Sequence, residues 1–454
     1  MATGNVGRVF GGWMRAAVRV IVFTGAIALA SCVHKSAENP AARTQPVDIS
    51  SFGEADSARM ARLLIGECRG AKVRSACYEE PLVAAAAAGR VRLAMGALGQ
   101  IGVVDVDVKR DGHVYAHAIG IAAGKLPGDI AQTFSQCSES FQSGCYHGVI
   151  QARFAALDSI GPKEVNAVCE PFRASETQRW LRFQCVHGIG HGLTSLNNHD
   201  LTKGLAGCDL LNEWWDKQSC YGGAFMENIV NVTNPHHPAS TLSHHGAQPA
   251  KRAMADEHEG MPGMEHQHAV PFKAVDPADP HYPCSALGER YQAACYQMQT
   301  SVMLYNNKGD IAGAAVACDS APRIMRATCY SSLGRDISSY SLQDHAEGIR
   351  MCSLGTPRYQ PWCYFGLVKN IIDLNARPSE GIALCRDVPI ASGKLMCYVA
   401  VGEQVAFLGP DVEARRSMCS TSEAGMIDAC LFGARVKAEA PAGLSDVWGA
   451  VNSQ

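Results

Sequence analysis

Five histidines of this chain share one register. His113, His147 and His187 stand two places after positions 111, 145 and 185, and His117 and His191 stand six places after 111 and 185. Positions 145 and 185 are cysteines of a repeating series, and 111 is an aspartate where that series skips a cysteine. Residues four apart on a helix lie on one face, with Cβ atoms about 5–6 Å apart, and adjacent helices pack at about 8–10 Å. His113/His117, His147 and His187/His191 are therefore expected to project from three stacked helices as one compact imidazole cluster. Imidazole suits copper, zinc, iron or nickel. Gln151 fills the remaining slot in these repeats, and Met226 occupies it in the next one. With Met226, Glu227 is placed to complete a ligand shell, and it is also the candidate general base. The alternative is structural: the same rings would pack against tyrosines and bond to the backbone inside a core.

A second, compositional signal lies between residues 232 and 283. Eight of the 16 histidines fall there: His236, His237, His244, His245, His258, His266, His268 and His281. The run containing His258, Met261, Met264, His266 and His268 resembles the Met/His-rich segments of bacterial copper-resistance proteins. Thioethers favour Cu(I) and imidazoles accept Cu(II), so the resemblance implies a secondary metal-capturing loop; a plain linker is the other reading. His34, His199 and His345 stand alone and are expected at the surface.

The elements that must position the ladder come from cysteine arithmetic. Of the 19 cysteines, all but Cys32 fall into local pairs. These are Cys68 with Cys77, Cys137 with Cys145, Cys169 with Cys185, Cys208 with Cys220, and Cys284 with Cys295. They continue with Cys318 and Cys329, Cys352 and Cys363, Cys385 and Cys397, and Cys419 and Cys430. The second members at 295, 329, 363 and 397 step by 34 residues, and 77 and 145 are separated by twice that. A period of about 34 residues is that of a helical hairpin. The fold expected is all-α, an α/α solenoid of about ten such repeats, each stapled by a local disulfide joining a short helix to a longer one. Tyrosine follows the second cysteine in seven pairs, and a small residue such as Gly148, Gly223 or Gly366 often sits three places on. A small residue there lets neighbouring helices approach.

This layout resembles the cysteine-rich Sel1-like and tetratricopeptide-like solenoids of bacteria over residues 60–435, without the full Sel1 consensus. The resemblance implies a right-handed superhelix with a concave groove able to take a protein partner. Deoxyhypusine hydroxylase, a helical-repeat enzyme, offers a similar design in drawing iron ligands from stacked repeats, although its His-Glu pairs are absent here.

The first residues read as an address. Arg8, Arg15 and Arg19 precede an apolar run from Val20 to Ala30, too short to span a membrane. Leu29-Ala30-Ser31-Cys32 resembles a bacterial lipobox, which implies cleavage before Cys32, acylation of that cysteine and attachment to the cell envelope, with the outer membrane facing the periplasm favoured. The organisation expected is a signal peptide (1–31), a lipid-anchored tether (32–58), N-terminal repeats with the ladder (59–231), the His/Met/Pro-rich insertion (232–283) and C-terminal repeats with a cap (284–454).

The charges nearly cancel, 40 basic against 43 acidic, which argues against a nucleic-acid clamp. With 47% hydrophobic residues against 18% charged, the chain has ample material for a core. No nucleophile elbow, phosphate loop, dinucleotide fingerprint or His-Glu-x-x-His motif occurs. The function expected is binding of a transition metal, copper favoured over zinc or iron, by an envelope lipoprotein through histidines on consecutive repeats. Two alternatives accompany it: a metal-dependent enzyme of unknown substrate, and an interaction scaffold without metal.

Overall fold

The computed structural model describes residues 47–157, 160–174, 178–233 and 272–452. Among these residues every regular element is a helix, and consecutive helical hairpins stack in chain order. The first helices of the hairpins are short, and five of them begin on an aspartate. Asp129, Asp200, Asp310, Asp344 and Asp411 each accept a hydrogen bond from an amide of their own first turn, which satisfies donors a helix otherwise leaves open.

The second helices carry the ladder and are numbered here alone: α1 (Arg74–Ala87), α2 (Val106–Gly124), α3 (Gly144–Ala155), α4 (Arg179–Leu196), α5 (Trp214–Thr233), α6 (Glu289–Tyr296), α7 (Gln299–Asn306), α8 (Arg326–Tyr340), α9 (Gln360–Asn375), α10 (Ala391–Leu408) and α11 (Ile427–Gly433). The sixth second helix is thus broken in two, between Tyr296 and Gln299. The repeat without cysteines still forms a hairpin, Val91–Val104 followed by α2. Asp105 joins its two helices, capping α2 while accepting hydrogen bonds from Arg74 and Tyr78 of α1.

Nine disulfides connect each remaining first helix or turn to its second helix, at sequence separations of 8 to 16. Loops of that size are worth roughly 2–3 kcal/mol each in the chain-entropy account. The tyrosine after the second cysteine adds a polar tie. Tyr221 bonds Asp209 and Tyr330 bonds Asp319, in each case the residue next to the first cysteine of the same pair. Both phenols are otherwise buried, so each tie satisfies a hydroxyl that would be costly to leave alone.

Glycine sets the distance between second helices. A Cβ on Gly120 of α2 would run into the carbonyl of Cys145, and one on Gly148 of α3 into the carbonyl of His117. The same reciprocal crossing recurs between α4 and α5, at Gly190 and Gly223, and between α8 and α9, at Gly334 and Gly366. Backbones meet there with no side chain between them.

One feature departs from an open groove. Phe141, Gln142 and Ser143 all take positive φ, at 57°, 52° and 58°. Such left-handed non-glycine residues cost on the order of 1–3 kcal/mol each unless the surroundings hold them. Here the amides of Phe141 and Gln142 donate to the carbonyls of Leu374 and Asp373 on α9, at 3.0 and 3.1 Å. Farther along, Trp180 of α4 meets Phe407 of α10 with ring centroids 5.6 Å apart. Repeats distant in sequence therefore touch across the inner face.

At the edges of the expected 232–283 insertion, residues 232 and 233 complete α5, and Ala274 accepts a hydrogen bond from Asn228 of that helix. His281, grouped above with the loop histidines, bonds Ser320 and Tyr296. No described helix is long and apolar enough to cross a membrane. Cys32 and the loop residues His258, Met261, Met264, His266 and His268 lie outside the described residues.

The glycine crossings predict a local contrast. Gly223→Ala must part α4 from α5 and should cost about 1–3 kcal/mol. At adjacent Gly222 an added Cβ meets only the His187 ring, at an ordinary 3.4 Å, and Gly222→Ala should stay within about 0.5 kcal/mol. Denaturant unfolding of the two variants tests this; equal losses would refute the crossing as the controlling contact.

Candidate metal centre

The stacking of α2, α3 and α4 brings all five register histidines together. His113 and His117 come from α2, His147 from α3, and His187 and His191 from α4. Ring centroids lie 4.7 Å apart for His147–His187, 5.0 Å for His147–His191, 5.2 Å for His187–His191 and 5.4 Å for His117–His191. His113 sits 5.6 Å from His147 and 6.4 Å from His191. His117, His147, His187 and His191 are buried, while His113 keeps an edge of its ring accessible.

The outer nitrogens of two core rings are held by the protein. His147 Nε2 lies 2.8 Å from Gln184 Oε1, so this nitrogen donates and carries the proton. His191 Nδ1 lies 2.9 Å from Glu227 Oε2, with the same consequence. The His187 ring faces α5, where the backbone of Ser219 partly counters the effect of burial on it. His113 Nδ1 lies 3.0 Å from the carbonyl of Phe141, in the left-handed turn that also reaches α9. These bonds choose the tautomer, because a neutral imidazole has one donor and one acceptor nitrogen.

The other nitrogens are left bare. His147 Nδ1, His187 Nε2 and His191 Nε2 are buried without a hydrogen-bond partner. His147, His187 and His191 offer ligand atoms that all lie within 4.8 Å of one another, and His117, His191 and Glu227 form a second such trio. An unsatisfied buried acceptor costs about 1–3 kcal/mol, so three in one place call for an explanation. Three bare ring nitrogens converge there, two of them on rings whose far nitrogens are anchored, which is an arrangement able to accept a transition-metal ion.

Burial holds the rings neutral, the form that binds metal. It pushes His191 down to about 3, and burial together with the charge His191 would carry pushes His113 to about 4. His147 and His187 fall well below the ordinary range, first through burial and then through their histidine neighbours. The accessible edge of His113 lets water retain some hold on that ring, so the buried His191 is the firmer case.

Glu227 joins the cluster by orienting His191, and its other oxygen lies 3.5 Å from His199 Nδ1. His199 is therefore not the isolated surface residue expected from its sequence position: at φ 58° it turns back from the end of α4 toward Glu227. His345, the other outlying histidine described, is a half-exposed first residue of its helix. Gln151 is buried and donates to Ser195 Oγ at 2.7 Å, a packing role. Met226 lies on the wall of an adjoining cavity. Gln184 and Ser219 were not singled out from the sequence. Gln184 had a usable signal, since it lies three residues, almost one turn, before His187. Ser219 contributes only backbone and had none. No family model, curated protein or solved structure matches this chain.

The neutral rings give the metal-free protein a defined acid sensitivity. Their folded pKa values lie below the unfolded histidine value of about 6.5, so the unfolded chain binds more protons. This stabilising contribution is fully present above about pH 6.5 and is lost as pH falls toward 4 and then 3. The denaturant midpoint of metal-free protein should drop over that window, and His191→Gln should flatten the drop. An unchanged pH slope in the variant would mean that this ring is not buried neutral.

Proposed function

We propose that this protein binds a transition-metal ion in the histidine cluster, with His147 Nδ1, His187 Nε2 and His191 Nε2 as its core donors. The observation that carries the reading is the set of three buried, unpartnered nitrogens, two of them on rings whose opposite nitrogens are anchored by Gln184 and Glu227. His117 and His113 flank the trio and supply further imidazole. Copper is the favoured ion, because an all-imidazole site follows the general affinity order in which copper(II) binds most tightly among the common divalent ions. Glu227 raises the basicity of His191 and fixes its ring; both effects tighten a metal–histidine bond.

The setting proposed is the bacterial cell envelope, with lipid attachment at Cys32. It is supported by the lipobox-like residues 29–32 and by nine disulfides, which persist in oxidising compartments. In that setting the cluster would store, transfer or use a metal ion.

The test is metal stoichiometry. Full-length protein purified with its disulfides intact is equilibrated with Cu(II) or Zn(II), and bound metal is measured by mass spectrometry. One ion per chain is expected at the cluster. The double variant His187→Ala/His191→Ala should lose at least about 100-fold in affinity, and Gln184→Ala about 10–100-fold through loss of ring orientation. Removing residues 236–270 should leave this occupancy in place. Protein that stays metal-free on reconstitution, or a double variant that binds as well as the parent, would refute the proposal.

A further inference from the structure

The cluster has one side that packing does not close. The accessible edge of His113 faces a cavity of about 450 Å³, and Met226, next to Glu227, lies on the same wall. The facing wall comes from distant repeats, through Ser301 of α7, Arg335 and Asp336 of α8, and Asn370 of α9. The left-handed turn at 141–143 holds these walls in place, because Gln142 bonds Asn370 while the carbonyl of Phe141 holds His113. A cavity of this size lies within the range of small-molecule sites.

Its lining says what kind of molecule fits. Both guanidinium groups on it are already answered. Arg335 bonds Asp336 at 2.6 Å and Ser301 at 2.5 Å, and Arg110 bonds Asp111 at 2.9 Å. The acids and bases cancel within the wall, so an ionic ligand would give up water without gaining a free counter-charge. The α5 side is apolar, from Ile229 and Val230, and Leu304 adds to it. Met226 and Met298 also line the space, with the Met298 sulfur against the Arg335 guanidinium, and methionine side chains make favourable contacts with aromatic rings.

We propose that this cavity binds a small uncharged aromatic molecule of the phenol class and presents it to the metal ion along the His113 side of the cluster. The proposal deepens the metal-binding reading and rests on it. An aromatic face lies against α5 and the methionines, and a hydroxyl group meets the polar wall or the ion.

The test uses full-length protein loaded with one equivalent of Cu(II), with phenol as the probe and benzoate as its charged counterpart. Longitudinal relaxation of the probe's ring protons reports their distance from copper. Phenol protons should relax faster with Cu(II) protein than with Zn(II) protein, and benzoate should need at least about tenfold higher concentration for the same effect. Val230→Trp and Ser339→Trp fill the cavity from opposite walls; each should reduce the phenol effect at least about fivefold with copper stoichiometry unchanged, whereas Val230→Ala should retain it. Copper bound one to one with no phenol relaxation, equal responses to phenol and benzoate, or filled variants that respond like the parent would each overturn the chamber and leave the metal site standing. Failure to bind copper would overturn the metal reading, and the chamber proposal with it.

Discussion

The close approach of helix backbones is the contact on which the inner face of this array depends. In this protein that approach is made by glycine facing carbonyl, at Gly120 and Gly148 between α2 and α3 and at Gly190 and Gly223 between α4 and α5. The carbonyls met by Gly148 and Gly223 belong to His117 and His187 themselves. A methyl group at the α2–α3 crossing would move His117 away from His147, and one at the α4–α5 crossing would move Glu227 away from His191. The disulfides act on a different distance: they hold the two helices of a hairpin together and leave contact between hairpins to glycine and apolar packing.

The cluster is costly to keep in a core. His147, His187 and His191 are buried and held neutral, and each leaves one ring nitrogen without a partner. A core evolved for stability alone would place aliphatic side chains there; the equivalent slots elsewhere hold Val83 and Val436 but also Ser301, Arg335, Lys369 and Glu403. Local crosslinks offset such costs through the unfolded chain, without needing good contacts at the site itself. That division lets the inner face be chosen for chemistry and the hairpin ends for stability.

Much of this was legible in the sequence. The 34-residue step between second cysteines, the aspartate at 111 and the paired slots for His113, His147 and His187 described the hairpins and which face the rings occupy. Periodicity reports contacts that repeat, and these do. It was silent where the chain does something once. The left-handed turn at 141–143 matches no glycine signal, because Phe141, Gln142 and Ser143 are held in place by α9, more than 200 residues away. The turn of His199 toward Glu227 likewise depends on backbone conformation at the end of α4 and not on spacing. Gln184 shares a helix face with His187 in the sequence, but its bond to His147 on the neighbouring helix appears only once the register between α3 and α4 is known.

The same turn at 141–143 changes how the array can evolve. Open solenoids gain and lose repeats readily, because each unit answers only to its neighbours. Here the amides of Phe141 and Gln142 must find the carbonyls of Leu374 and Asp373, so the number of hairpins between them is counted by the geometry. Duplicating or deleting a unit within that stretch would leave the turn without its mate and release the Phe141 carbonyl that steadies His113. Length variation should therefore gather outside this stretch.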